Sequence, residues 1–207
     1  VLHNTPRSAE EDPRALWQES DAGVLVEVCA VQEALRDLGI PFRTAGVRRL
    51  SEVAGALSGG LETVVFNLVE ELAGAEHDVN LVPAVCRALD RSPTGNDASC
   101  LMLCLDKWHT RAALEAAGVP VPAGVVVPPG SDGTGVRWPP APLLVKPVRT
   151  DASEGIDAAS VVSDEGAAME AARRVHGDLG QPALVERFVA GSEINVTLVE
   201  WDGSVRP

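Results

Sequence analysis

The chain has 207 residues, of which 45% are hydrophobic, so we expect one large domain or two small ones with a real core rather than a disordered chain. Its 17 basic residues are outnumbered by 30 acidic ones, giving a formal net charge of −13, which argues against a nucleic-acid backbone as partner but not against a small phosphate ligand. No run of about 18 apolar residues is available to span a membrane, and the chain does not begin with the pattern of a signal peptide.

Strand and helix signals alternate in the first half of the chain. Apolar residues recur at helical spacing over residues 24–38, and Gly39 follows them in the position of a helix C-cap. The run 64–66 predicts a buried strand, and 82–89 carries a second helical stripe. The alternation predicts α/β architecture, and the turn residues at 92–97 indicate the end of a first domain.

The second half is predicted to contain shorter elements. Asn96 or Asp97 can cap a helix near 101–105, and Asp106 can cap the next helix, which ends at Gly118. The later elements are predicted, in chain order, as strands at Gly124–Val127, 143–146 and 160–162, a helix from 163 to Gly180, a strand at 183–185, and a strand at 195–201 that turns at Asp202-Gly203.

Both ends of the chain are interpreted as cut. Val1 and Leu2 are typical of the end of a strand, and the return strand of the last hairpin would begin at Ser204, close to Pro207. We therefore expect a fragment, or the ordered part of a longer protein. The four cysteines form no CxxC pair and are expected to be small buried apolar residues in a reducing compartment, which indicates the cytoplasm: Cys29, Cys86, Cys100 and Cys104.

A lysine ends the predicted strand 143–146. The ammonium group of Lys146 can lie over a ligand cleft, where a point charge suits a phosphate. Small residues follow over 150–156, and the backbone N–H groups there, with the Ser153 hydroxyl, can cradle phosphate oxygens. The GxxxxGK[ST] pattern of a P-loop is absent, so an ordinary loop without a ligand is an equally open interpretation.

A second polar segment lies over residues 184–196. Its backbone beside Phe188 and Val189 can hydrogen-bond the edge of an adenine ring, and a carboxylate a few residues later can bind ribose hydroxyls. The alternative interpretation is a charged, solvated hairpin.

These segments, taken in order, resemble the ATP-grasp superfamily, and within it the D-alanine–D-alanine ligase group. The resemblance covers about residues 64 to 199 and is carried by the segments 66–72, 93–98, 105–107, 144–147, 151–156 and 185–193. It implies an α/β fold with three parts: an N-terminal Rossmann-like (pre-ATP-grasp) domain over 1–95, a central α+β ATP-grasp subdomain over 96–185, and an incomplete start of the C-terminal subdomain over 186–207.

The resemblance also implies a role for individual residues in binding ATP. Lys107 and Lys146 would contact the phosphates, and Ser153 would lie in the loop that closes over them. Four further residues would bind the adenosine: Glu186 through the adenine amino group, Arg187 and Val189 through backbone hydrogen bonds to the adenine edge, and Glu193 through the ribose. The histidines match no role in the family and are expected to be structural or solvated: His3, His77, His109 and His176.

The activity implied by the resemblance is ligation of two amino acids, with D-alanine as the expected substrate, in peptidoglycan precursor synthesis. Magnesium is implied, with ligands expected beyond Pro207, so no catalytic residue or metal ligand is assigned here and this segment alone is expected to be inactive. The alternatives are a nucleotide-binding regulatory module without catalysis and a dipeptide or peptide ligase of the same fold. The expected partners are ATP and small amino acids, with no nucleic acid and no membrane, and a homodimer is left open.

The N-terminal region departs from the family pattern. The loop after residue 3 lacks the family's paired glycines, and a glutamate that would hold the first substrate is not identified: Glu19 and Glu27 are both open, and Glu76 is a neighbour of the expected pocket. The identity of the amino-acid substrate is therefore left open.

Overall fold

The structure, a computed structural model, describes residues 1–6, 18–75, 77–150 and 154–206. The chain divides into two compact units, Val1–Asp106 and Lys107–Pro207, which are described separately. The domain boundaries predicted after residues 95 and 185 remain predictions.

Unit 1 alternates parallel strands with helices, as predicted for an α/β fold. Its elements are β1 (Leu2–Asn4), α1 (Gln18–Asp37), β2 (Ala45–Val47), α2 (Leu50–Leu57), β3 (Val64–Val65), β4 (Asn67–Leu68), a 3-10 turn (Asp78–Leu81), α3 (Val82–Ala88), β5 (Ser92–Pro93) and α4 (Ala98–Leu105). The strands pair in parallel in the orders β2-β1-β4 and β3-β5, and α2 and α3 bury Val53, Val82 and Cys86 against them.

The ends of the helices in unit 1 follow local signals. The N–H of Ile40 donates to the carbonyl of Leu35 at the end of α1, around Gly39, whose φ is +66°. Glycine adopts that left-handed conformation without strain, so the predicted C-cap is confirmed. At the start of α4, the side chain of Asp97 accepts from the N–H of Cys100 at 2.8 Å, which confirms one of the two predicted N-caps.

Unit 2 is built on an antiparallel sheet. Its elements are α5 (Lys107–Ala116), β6 (Gly124–Val127), β7 (Leu143–Pro147), a 3-10 turn (Ala158–Ser160), β8 (Val161–Val162), α6 (Glu165–Leu179), β9 (Ala183–Arg187), β10 (Val199–Trp201) and β11 (Ser204–Arg206). The main sheet has the order β6-β9-β7-β8, and β10 and β11 form a separate hairpin.

The main sheet of unit 2 packs one apolar face against α6, and the other, named the polar face because it carries Lys146 and Glu186, also carries Leu144 and Leu184. Alternate residues such as Leu143, Val145 and Val185 are buried in a core with Ala172 and Met169 of α6. Because successive side chains of a strand point to opposite sides, the residues between them lie on the other face of the sheet. That second face carries the polar residues of the candidate site.

Helix α6 begins and ends close to the predicted bounds of 163 and Gly180. The side chain of Asp164 accepts from the N–H of Ala167 at 2.9 Å, and Gly180 takes a left-handed φ of +65° while its N–H donates to the carbonyl of His176. The predicted hairpin at Asp202-Gly203 is also observed. Its first strand is shorter than predicted, because only three residues on each side pair.

The cysteines differ in burial. All four are free thiols, and Cys86 is buried as predicted, but Cys29 and Cys104 are exposed, so burial was the wrong expectation for those two. Among the described residues, no helix combines the length and the apolar character needed to cross a membrane.

Candidate functional site

The centre of the candidate site is an ion pair between two neighbouring strands of unit 2. Lys146 lies on β7 opposite Leu184, and Glu186 lies two residues further along β9, so both side chains are on the polar face as diagonal neighbours. The Nζ of Lys146 is 2.6 Å from Oε2 of Glu186. Glu186 is only 7% exposed, and a carboxylate so buried requires a paired charge. The structure thus brings together two residues predicted to bind opposite ends of ATP.

A second cation reaches the same carboxylate from helix α5. The Nη1 of Arg111 is 3.6 Å from Oε1 of Glu186, and it also donates to the carbonyl of Pro122. The guanidinium stacks over the ring of Trp108, with 5.5 Å to the ring centroid. Two buried cations on one carboxylate leave a net positive charge, which suits a polyanion.

Arg111 was missed by the sequence reasoning. It lies four residues after Lys107, and residues at that spacing share one side of a helix, which is the signal that could have found it.

Gly124 makes room for this cluster. It lies opposite Glu186 in the β6–β9 pairing, and a Cβ there would be 3.1 Å from Cγ of Glu186 and 3.4 Å from Nη1 of Arg111. The contact with Glu186 is tighter than nine in ten that real Cβ atoms make, so Cγ of Glu186 would have to shift by a few tenths of an ångström. The glycine thus gives the side chains of Glu186 and Arg111 close access to β6.

Lys107 is fixed to the segment that follows β7. Its backbone N–H donates to the carbonyl of Val148 at 3.0 Å, and its Nζ donates to the carbonyl of Thr150 and lies 3.4 Å from the Thr150 hydroxyl. Lys107 is therefore bound just beyond the strand that carries Lys146. Ser153, the predicted loop residue, lies outside the described residues.

The segment after the loop is tightly packed. Gly155 has a left-handed φ of +71°, and a Cβ there would be 2.8 Å from Cγ of Pro147 and 2.9 Å from Cδ1 of Leu179. The hydroxyl of Thr150 also donates to the carbonyl of Glu154 at 3.2 Å, which ties the two sides of the loop together. The base of the small-residue loop is therefore held against both the sheet and α6.

The residues predicted to bind adenosine begin at the end of β9. The N–H of Arg187 donates to the carbonyl of Ala123, and that of Phe188 donates to the carbonyl of Pro142. Val189 and Glu193 follow on exposed chain without regular secondary structure. The structure therefore places Glu186 in the cluster and the other three predicted residues along the chain that leaves it.

Other sequence-predicted groups have less to do with this cluster. No group of three or more His, Cys, Asp or Glu side chains that could hold a metal ion occurs in the described ranges. His176 lies 3.0 Å from the carbonyl of Val127, a contact that fits the structural role predicted for it. Of the three glutamates considered for the first substrate, Glu27 is exposed on α1 in unit 1. Glu76 and the side chain of Glu19 lie outside the described part of the structure.

The chain is similar in sequence to D-alanine–D-alanine ligases. It is 31% identical over 177 residues to the enzyme of a Caulobacter species, an alignment that covers 84% of this chain and 52% of the ligase. It is 26% identical over 176 residues to D-alanine–D-alanine ligase B of Chromobacterium violaceum, which covers 84% of this chain and 55% of that protein. The chain thus spans about half the length of these curated relatives. No protein-family model matches it.

The fold gives a consistent result. The crystal structure of D-alanine–D-alanine ligase from Bacillus anthracis complexed with ATP superposes with a TM-score of 0.65 at 14% sequence identity, over 92% of this chain and 58% of that one. At this identity the likeness shows the fold. With the sequence relatives it shows that the chain is similar to D-alanine–D-alanine ligases and has their ATP-grasp fold.

Proposed function

We propose that this chain supplies the ATP-binding part of a ligase that joins the carboxylate of one amino acid to the amine of another. The observation that carries the proposal is the buried pairing of Lys146 with Glu186 on the polar face of the sheet. A lysine assigned to the phosphates and a carboxylate assigned to the adenine lie on one face of the same sheet, within reach of a single ligand.

The phosphates of ATP would be held by point charges and by the loop after β7. Lys146 would turn its ammonium group to them from the strand, and Lys107 would contribute a second charge from just beyond the end of the same strand. Ser153 and its neighbouring backbone would close over the phosphate oxygens. Charge-assisted hydrogen bonds of this kind are about twice as strong as neutral ones.

The adenosine would lie along the chain that leaves β9. Glu186 would accept from the adenine amino group. Since the N–H of Arg187 is bound to Ala123, the proposed contribution of Arg187 falls to its carbonyl oxygen. The N–H of Val189 would donate to the ring, and the carboxylate of Glu193 would accept from the ribose hydroxyls.

The proposed reaction begins with transfer of the terminal phosphoryl group of ATP to a carboxylate. The amine of the second amino acid then attacks the acyl phosphate, and the products are an amide, ADP and phosphate. The residues named above position the nucleotide and offset its charge. Magnesium would add further neutralisation when bound, but the described residues offer no set of acids that fits it, so no step is assigned to it.

The proposed substrates are D-alanine and related amino acids, and the proposed setting is peptidoglycan precursor synthesis in the cytoplasm. Residues 1–95 would form the Rossmann-like substrate side, 96–185 the central ATP-grasp subdomain and 186–207 the start of the next one. The relatives named above are D-alanine–D-alanine ligases, and this similarity supports D-alanine as the proposed substrate class.

Two measurements test the proposal. Calorimetric titration of the full chain with ATP is expected to show saturable binding at one site, and the absence of binding would overturn the nucleotide assignment. A phosphate-release assay with ATP and magnesium, run across D-alanine, other D-amino acids and dipeptides in the protein that contains this sequence, then identifies the substrate. Binding of ATP without phosphate release in any mixture would favour the non-catalytic nucleotide-binding module instead.

A further inference from the structure

Lys146, Glu186 and Arg111 form one cluster of charged side chains. Of these three residues, Arg111 has no part in the nucleotide site as proposed so far. It contacts Oε1 of Glu186, while Lys146 contacts Oε2, so the two carboxylate oxygens are divided between two cations. Both Arg111 and Glu186 are largely buried, with side chains 11% and 9% exposed. A guanidinium in such a place acts on its neighbours rather than on bulk solvent.

The guanidinium of Arg111 has three contacts. It donates to the carbonyl of Pro122, it lies over the ring of Trp108, and it pairs with Oε1 of Glu186. Arginine presents several donors in a rigid planar fork, so one side chain can serve a carbonyl and a carboxylate together. Lys146, in contrast, is a flexible point charge that can exchange one anion for another.

This difference between the fixed guanidinium of Arg111 and the flexible ammonium of Lys146 matters if Lys146 binds phosphate. Under the proposed function, the ammonium of Lys146 contacts the phosphates when the nucleotide binds, either in place of Glu186 or in addition to it. A buried carboxylate left without any counter-charge would be strongly disfavoured. Arg111 remains in contact with the other oxygen, so the carboxylate of Glu186 still has a counter-charge beside it.

We propose that Arg111 is a positioning residue that holds the ionised carboxylate of Glu186 toward the adenine amino group while Lys146 serves the phosphates. This inference rests on the proposed function. A carboxylate has four acceptor positions on its two oxygens, so it can accept from the ligand while it keeps its ion pair with Arg111. The arrangement favours a purine that carries an amino group at that edge over one that lacks it.

The test compares two nucleotides that differ only at the amino group. The full chain is titrated with ATP and with purine riboside triphosphate, which lacks the amino group, in the wild type, in Arg111→Met and in Arg111→Lys. In the wild type we expect ATP to bind about tenfold or more tightly than the analogue, the value of a lost charge-assisted hydrogen bond. In both variants we expect the preference to fall toward one, with binding of the analogue nearly unchanged.

A purely structural role of Arg111 would weaken both nucleotides equally and leave their ratio intact, and that result would overturn the inference. Arg174→Met is the matched control, because Arg174 also donates to a backbone carbonyl, that of Ala159, but on the exposed side of α6. Circular dichroism checks the fold of each variant. If both Arg111 variants lose the native spectrum, the role is structural and the inference is wrong.

Failure of this inference is distinguishable from failure of the proposed function. If the wild-type chain binds neither nucleotide, the nucleotide site itself is wrong and the role of Arg111 falls with it. If the wild type prefers ATP and the Arg111 variants keep the full preference, the nucleotide site stands and only the positioning role is overturned.

Discussion

The ammonium nitrogen of Lys146 lies 2.6 Å from a carboxylate oxygen of Glu186, between strands that run in opposite directions. Both side chains are mostly buried, at 21% and 9% exposure. Breaking such a pair by removing one partner leaves an uncompensated charge in a poorly solvated place. Here a third group, Arg111, remains with Glu186 when Lys146 is removed, so the lysine can be tested without leaving the carboxylate alone.

Replacing Lys146 with alanine is expected to weaken ATP binding. A charge-assisted hydrogen bond contributes about 1.5–3 kcal/mol, so the dissociation constant should rise at least about tenfold. Calorimetric titration of the full chain measures the change. The control is Arg137→Ala, which removes an exposed cation from the same unit and is expected to leave the affinity unaltered. Equal affinities for Lys146→Ala and the wild type would count against the phosphate assignment.

Much of unit 2 could be predicted from local sequence signals. The strand Gly124–Val127 and the helix from Glu165 to Leu179 lie where apolar patterns and caps indicated them. Strand β7 extends one residue beyond the prediction, to Pro147. These signals succeed because caps, turn residues and strand alternation depend on neighbours in the chain.

The cluster around Glu186 could only partly be predicted. Lys146 and Glu186 were found through motifs, but their contact depends on the register of β7 against β9. Gly124 carries no local signal, and the spacing of Arg111 from Lys107 indicates only a shared side of α5, because the contacts with Glu186 arise only when α5 and β6 come beside it. Side-chain contacts between distant segments are set by packing, which periodicity and spacing do not specify.

Gly155→Ala is expected to destabilise the fold. The left-handed backbone there disfavours any side chain, and a Cβ would lie 2.8 Å from a ring carbon of Pro147 and 2.9 Å from a methyl carbon of Leu179. Left-handed strain and overpacking each cost about 1–3 kcal/mol, so we expect a loss in that range or above it. Urea unfolding followed by circular dichroism measures the difference in free energy of unfolding.

The matched control is Gly177→Ala in α6, where a Cβ would meet nothing within 4 Å. Alanine favours a helix over glycine by about 0.5–1 kcal/mol, so this variant should be more stable than the wild type. If both alanine variants shift stability in the same direction, the special requirement for glycine at position 155 is refuted.

Asp164 is expected to make the stability of unit 2 depend on pH at the acid end. Hydrogen bonding to the N–H of Ala167 lowers the pKa of its carboxyl below the usual value of about 3.8–3.9. Because the folded-state pKa is depressed, the contribution is present above the unfolded pKa and is lost as pH falls through the folded pKa. Asp164→Asn keeps a capping oxygen but cannot ionise.

Urea midpoints of the wild type and Asp164→Asn, compared between about pH 2 and pH 6, check this expectation. The wild type should be the more stable of the two above its unfolded pKa, and the difference should shrink as the pH falls. A difference that stays constant with pH would show that the charge of Asp164 has no part in capping α6.

Lys146 and Glu186 are expected to be coupled differently with and without ATP. A double-mutant cycle uses Lys146→Met, Glu186→Gln and the double variant. In urea unfolding without nucleotide, residues in direct contact should show a coupling free energy of about 0.5–3 kcal/mol. In ATP titrations, Lys146→Met should cost more affinity in the Glu186→Gln background than in the wild type, because the lysine then has no carboxylate to leave.

A cycle between Lys146→Met and the exposed Arg137→Ala should be additive within about 0.5 kcal/mol. Additive effects of the contacting pair on ATP affinity would mean that Lys146 keeps its contact with Glu186 when the nucleotide binds.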